Sequence, residues 1–216
     1  MTSAPDQHLG PYAGQFGSYT ITPQDLQGVR LYRLGLGLAA LALAVATGLS
    51  FAPSPGHLVA IDLCYGLGWL ALGLSLATVH IYMVSLHRLL QGFWLVGGVA
   101  SLALAYGGPG PLAQTVVDHP QALWGVGFSF AALTGLYLKE AFCFDRFTSK
   151  LLTPLVPLLL LGHLVGMLPP LAEHTLLTLW AGLFLLFVWG KLGQPLVPDI
   201  GDKSVFAALH GQSPRD

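Results

Sequence analysis

The nine lysine and arginine residues of this 216-residue chain restrict its fold more tightly than any other feature. Arg30 and Arg33 precede the first long apolar run, and Arg88 joins the second run to the third. Lys139, Arg146 and Lys150 join the fourth to the fifth, while Lys191, Lys203 and Arg215 follow the sixth. The three alternate connections carry none. An apolar helix of about 20 residues crosses the hydrocarbon core of a bilayer, and basic residues are held back on its cytoplasmic side. The pattern predicts an all-α, polytopic membrane protein, a bundle of six transmembrane helices with both termini cytosolic (N-in/C-in).

The expected spans lie near 31–51, 58–84, 89–106, 120–138, 151–168 and 171–190. Residues 1–28 form a cytosolic N-terminal tail and helix lead-in, 29–191 the membrane domain and 192–216 a cytosolic C-terminal tail. Hydrophobic residues make up 54% of the chain and charged ones 9%. A soluble surface needs about a quarter charged residues, so the lipid bilayer is the expected partner. A net charge of −1 excludes nucleic acid, which needs a basic surface. The first 28 residues contain no Lys or Arg, so no secretory signal peptide is expected. Cys64 and Cys143 fall near opposite membrane boundaries and are expected as free thiols, because a disulfide needs Cα atoms within about 7 Å.

Local signals refine the layout. Residues 17–21 read as partly extended, and Thr22-Pro23-Gln24-Asp25 reads as a helix start, with Thr22 capping, Pro23 in the first position and Asp25 complementing the positive end. A short surface helix is expected near 111–117. The fifth span is short and carries Pro157, which fits either a harmless proline near a helix start or the interrupted helix of a transporter. Gly35, Gly73 and Gly135 are among the small residues expected to let helices approach closely.

Three groups of residues have chemical potential. His80, expected in the inner half of the second span, and His163, in the outer half of the fifth, are cofactor-binding candidates for haem or pigment. Their expected depths differ by about 10–15 Å, so one shared haem is not expected, and interhelical hydrogen bonding is the alternative. His57, His119 and His174, with Asp62, Asp118 and Glu173, would form a metal site if the outer loops converge; otherwise they are polar residues at helix starts. Lys139, Glu140 and Cys143, together with Asp199, Asp202, Lys203 and Phe206, are expected to form a partner-binding surface on the cytosolic face. Asp202 would cap a short amphipathic helix containing Val205, Phe206 and Leu209. No catalytic triad, phosphate-cradling loop or paired carboxylates are present, so no catalytic residue is expected.

Several stretches carry a family resemblance: Gly14-Gln15-Phe16-Gly17, Gly28-Val29-Arg30-Leu31-Tyr32-Arg33, Val79-His80-Ile81-Tyr82 and Leu86-His87-Arg88. Tyr19-Thr20-Ile21, Lys139-Glu140-Ala141-Phe142-Cys143-Phe144, the run 152–163 and Pro198-Asp199-Ile200-Gly201-Asp202-Lys203-Ser204-Val205-Phe206 complete it. The chain resembles an uncharacterised family of integral membrane proteins found notably in cyanobacteria, domain of unknown function 2301. That resemblance implies a multi-pass fold in a photosynthetic bacterium and brings no established activity. The leading functional expectation is a non-catalytic protein that binds or assembles another membrane component. A membrane enzyme or cofactor protein is the alternative, and a small-solute transporter the third.

Overall fold

The computed structural model describes residues 9–81, 83–108 and 110–209, without the side chains of Phe206, Ala207 and Leu209. Strands β1 (Leu9–Gly14) and β2 (Gly17–Ile21) pair antiparallel as a hairpin before the first helix. Six long helices follow: α1 (Pro23–Ser50), α2 (Pro55–Thr78), α3 (Val84–Gly107), α5 (Leu123–Phe144), α6 (Phe147–Leu164) and α7 (Pro170–Leu192). All six are long and apolar enough to cross a membrane. A short helix α4 (Leu112–Asp118) and a 3-10 turn link α3 to α5, while α8 (Val197–Ile200) and α9 (Lys203–Leu209) follow α7.

The start of α1 follows from its sequence. The Thr22 hydroxyl accepts from the Asp25 amide at 3.2 Å, and the Asp25 carboxylate accepts from the Thr22 amide at 2.7 Å. This reciprocal box satisfies two donors at the helix start. At the start of α2, Ser54 accepts from the His57 amide at 3.2 Å.

Each long helix packs on its sequence neighbours, and α7 returns to α1, so the six close a ring in chain order. Its interior is filled by Leu36, Ala40, Leu76, Leu136, Tyr137, Leu152, Val156, Trp180 and Phe184. The buried Trp180 ring NH donates to the Tyr137 hydroxyl at 3.2 Å, so neither polar atom is orphaned in the core. Bulky side chains such as Leu63, Val99, Leu158 and Leu186 point outward, as a lipid-facing surface requires.

The α2–α3 seam is the thinnest around the ring and is bridged by an indole pair. Trp69 and Trp94 stack with centroids 4.4 Å apart and planes 9° from parallel. Each ring NH donates to the other residue's carbonyl, Trp69 to Trp94 at 2.9 Å and Trp94 to Trp69 at 2.8 Å. Trp94 lies in the notch at Gly73 and Trp69 in the notch at Gly98, where any Cβ would collide with the ring. Glycine is required here by close approach, not by backbone conformation.

Three boundaries depart from the sequence reading. α2 ends at Thr78, not near residue 84, and its last turn is held by His87, whose Nε2 donates to the Leu76 carbonyl at 2.6 Å. That bond satisfies a helix-end carbonyl from the following helix, so no glycine or proline is needed to stop the chain. α5 continues to Phe144 and carries Lys139-Glu140 within its last turns. Residues 9–21 of the N-terminal tail form a two-stranded hairpin, of which only the second strand was expected as extended.

Candidate functional site

The polar centre of the protein lies where α1, α5, α7 and α8 meet, at the end of the bundle that carries the basic residues. Glu140 of α5 is fully buried. Its Oε1 accepts from the Tyr32 hydroxyl and from Lys139 Nζ, both at 2.8 Å, and its Oε2 accepts from Lys191 Nζ at 2.5 Å. Lys191 also donates to Asp199 Oδ1 at 2.6 Å, and Arg33 Nε donates to Asp199 Oδ2 at 2.8 Å. The Arg33 guanidinium adds bonds to the Gln194 carbonyl at 2.6 Å and the Pro195 carbonyl at 2.8 Å.

The ammonium groups also meet aromatic faces. Lys191 Nζ lies 3.8 Å from the Phe144 ring centre and 5.8 Å from that of Tyr32, while Lys139 Nζ lies 5.4 and 5.5 Å from the same rings. Burying a charge is costly unless it is paired and hydrogen-bonded. Here every buried charge has a partner, and the chain Tyr32–Glu140–Lys191–Asp199–Arg33 ties four helices together. Its effect is to fasten residues 194–200 across the end of the bundle.

A second clamp continues outward. Gly14 lies against Asp202 and Ser204 so closely that a Cβ there would collide with both side chains. The Gln15 amide donates to Asp202 Oδ2 at 2.6 Å, and the Phe16 amide to Ser204 Oγ at 3.0 Å. Lys203 donates to Asp25 Oδ2 at 2.7 Å. Ile21, Val29 and Ile200 form a small apolar core beneath, so hairpin, α1 and tail make one platform.

The Ser204 hydroxyl, and then the Gln15 amide, hold the Asp202 carboxyl below the usual carboxylate range. A carboxyl lowered by folding contributes stability above its unfolded value and loses it as pH falls through its folded value. Hairpin contacts to the tail are therefore expected to loosen below about pH 4. An Asp202→Asn variant should show a weaker acid-induced increase in amide exchange over residues 14–17, and identical profiles for the two proteins would refute this.

The structure separates the two membrane histidines. His80 lies in the extended link between α2 and α3 at the basic end, beside Gly28, and burial pushes its imidazole below the ordinary value, toward the neutral form. The expectation of His80 inside a helical span is corrected by the early end of α2. His163 lies near the other end of α6, where Nδ1 donates to Glu173 Oε1 at 2.7 Å and Nε2 approaches the Val116 carbonyl at 3.3 Å.

The outer histidines serve local roles. His57 Nδ1 bonds the Ala52 carbonyl at 2.5 Å, and His174 Nδ1 bonds the Pro170 carbonyl at 2.8 Å with its ring 5.1 Å from that of Phe51. Asp62 accepts from the Leu112 and Ala113 amides at 2.7 and 2.8 Å, anchoring α4, and Asp118 accepts from Gln114 at 2.7 Å. Among the described residues, no three His, Cys, Asp or Glu side chains converge as a metal site, so His57, His119 and His174 are not brought together with Asp118 and Glu173.

The expected docking surface is largely internal. Lys139, Glu140 and Asp199 are buried because each is paired, Lys139 with its neighbour Glu140, Glu140 also with Lys191 of α7, and Asp199 with Lys191 and Arg33, and Cys143 is exposed beside them. Asp202 and Lys203 hold the hairpin and α1; the side chain of Phe206 lies outside the described residues. Sequence reasoning missed Tyr32, Arg33 and Lys191 as members of the polar centre, reading the two cations only as topology markers. The one available signal was the text around Tyr32-Arg33 that carried the family resemblance.

Neither the curated proteins nor the solved structures contain a match to this chain. A family model described as "Uncharacterized integral membrane protein (DUF2301)" matches residues 74–208, which takes in the end of α2 and everything to α9 and leaves out the hairpin and α1. That match covers more than half of the sequence, and the chain belongs to this family of integral membrane proteins.

Proposed function

We propose that this integral membrane protein is a non-catalytic binding or assembly factor for another membrane component, which it engages through the platform at the basic end of the bundle. The supporting observation is the use made of its buried charges. Arg33, Lys139, Glu140, Lys191 and Asp199 are satisfied by one another and hold a composite surface of hairpin and tail. Groups saturated in this way stabilise a shape and do not face a substrate. The positive-inside rule supports a cytosolic side for this platform, and the membrane in this reading is the plasma or thylakoid membrane.

Phe16 at the hairpin tip is 47% exposed, an apolar side chain well placed for partner contact. Affinity purification from native membranes in mild detergent, comparing the unmodified protein with Phe16→Asp, tests the reading. A stoichiometric membrane partner that is lost from a variant of unchanged melting temperature is the expected outcome. Recovery of the same proteins with both, or of none with either, would exclude it.

The second reading, a cofactor protein, rests on His80, which is half-buried at the same end. Visible absorbance of the purified protein that disappears in His80→Ala would favour it.

A further inference from the structure

We infer that α4 is a pH-dependent strap across the end of the bundle away from the basic residues, latched by the His163–Glu173 pair and released when that pair loses a proton. α2 and α6 are not neighbours in the ring, yet α4 is bonded to both. Asp62 of α2 holds the first turn of α4, accepting from the Leu112 and Ala113 amides at 2.7 and 2.8 Å. Leu112 is buried, so this end is packed as well as bonded. Near the other end, the Val116 carbonyl meets His163 Nε2 of α6 at 3.3 Å.

That carbonyl depends on the histidine. A helical carbonyl is ordinarily satisfied by the amide four residues on. The residue four after Val116 is Pro120, which has no N–H to give. The His119 amide, three residues on, donates to the Thr115 carbonyl at 2.9 Å instead. Among the described residues, His163 is the one donor to the Val116 carbonyl.

The number of protons decides whether this donor exists. A neutral imidazole carries one N–H and one lone pair, whereas its cation carries two N–H groups. His163 Nδ1 lies 2.7 Å from Glu173 Oε1 and Nε2 faces a carbonyl, so both ring nitrogens meet acceptors. Both contacts are made at once only when the pair holds two protons, one on Nε2 and one between Nδ1 and the carboxylate. When one is lost, the charged carboxylate keeps the other on Nδ1, because charge-assisted bonds are the stronger ones. Nε2 then turns a lone pair toward the carbonyl oxygen, and the latch opens. It is made at low pH and lost as pH rises. The two side chains are 20 and 30% exposed, so protons reach them from solution.

Neighbouring groups are engaged elsewhere. His174 of α7 bonds the Pro170 carbonyl, His57 at the start of α2 bonds the Ala52 carbonyl, and Asp118 of α4 accepts from Gln114. His119 follows the last residue of α4. α5 brings no titratable side chain to this end, and every described Lys and Arg lies toward the other. Only the His163–Glu173 pair joins α4, α6 and α7 through one ring.

The test is hydrogen–deuterium exchange of the full-length protein in detergent micelles at about pH 5.5 and about pH 8, the range over which histidines change charge. Peptides covering residues 111–122 are followed, with rates corrected for the intrinsic pH dependence of exchange. The second half of α4 should exchange roughly tenfold more slowly at the lower pH, the value of one hydrogen bond to a charged group. Two variants carry opposite expectations. His163→Leu removes the donor and should leave α4 at the fast rate at both pH values. Glu173→Gln supplies an amide N–H to Nδ1, which keeps the imidazole proton on Nε2 without any added charge. α4 should then exchange slowly at both.

Equal corrected rates at the two pH values in the unmodified protein would overturn the proposal. So would a pH response that persists in either variant, since it would then belong to Asp118 or His119. If His163→Leu does not fold, Glu173→Gln decides the question alone.

Discussion

Replacing Glu140 with alanine is expected to destabilise the protein by about 3–5 kcal/mol, the cost of leaving buried charges without their partner. Three donors converge on that one carboxylate: the Tyr32 hydroxyl and the ammonium groups of Lys139 and Lys191. Its loss leaves both lysines buried beside aromatic rings, with Lys191 retaining only Asp199. Destabilisation should be accompanied by release of residues 194–200, because the network is what binds that segment to the bundle. Denaturant titration in micelles measures the first effect and limited proteolysis between Gln194 and Asp202 the second. A Glu140→Met, Lys191→Met double variant should lose less than the sum of its single variants, since each single change strands a charge that the double change removes. Unaltered unfolding in Glu140→Ala, with the tail still protected, would contradict the fastening role.

Gly98→Leu should open the α2–α3 seam. A side chain there must occupy the volume of the Trp69 ring, which is held on its other face by Trp94 and at its NH by the Trp94 carbonyl. Overpacking of this kind costs about 1–3 kcal/mol, and the seam has few other contacts to absorb the shift. Within a membrane the loss is one of packing and hydrogen bonding, because lipid tails are as apolar as the helices. Trp69→Phe in the Gly98→Leu background, which makes the ring smaller, should recover part of the loss. Additive effects of the two substitutions would show that the ring and the notch are not coupled. Tryptophan fluorescence offers a second readout, since separating the stacked indoles changes their emission.

The sequence made the six spans legible because lipid exposure writes itself as long apolar runs and because basic residues mark one side. The polar centre was hidden for the opposite reason. Lys139 and Glu140 read as a membrane boundary, since an isolated charge belongs in water. Their burial depends on Lys191 and, through it, Asp199, residues far along the chain that no local pattern connects to them. The end of α2 was illegible for a similar reason: the group that satisfies its last turn is His87, part of the next helix. The hairpin was only half visible because β1 contains Gly10 and Pro11, which weaken the alternation that marks a strand. His163 and Glu173 were both singled out, but the pair formed between them arises from the fold of the turn joining α6 to α7.

A ring closed in chain order has a consequence for biogenesis. As the chain enters the membrane, each new span can dock on the one just inserted, so five of the six seams assemble from neighbours already at hand. The remaining seam, between α7 and α1, joins the last span to the first. Arg33 enters early and waits without Asp199, and Glu140 holds only Lys139 and Tyr32, until the ribosome has delivered Lys191 and the residues after it. During that interval the nascent bundle carries unmatched charge inside the membrane boundary. That interval ends when Asp199 and the tail lock across the ring.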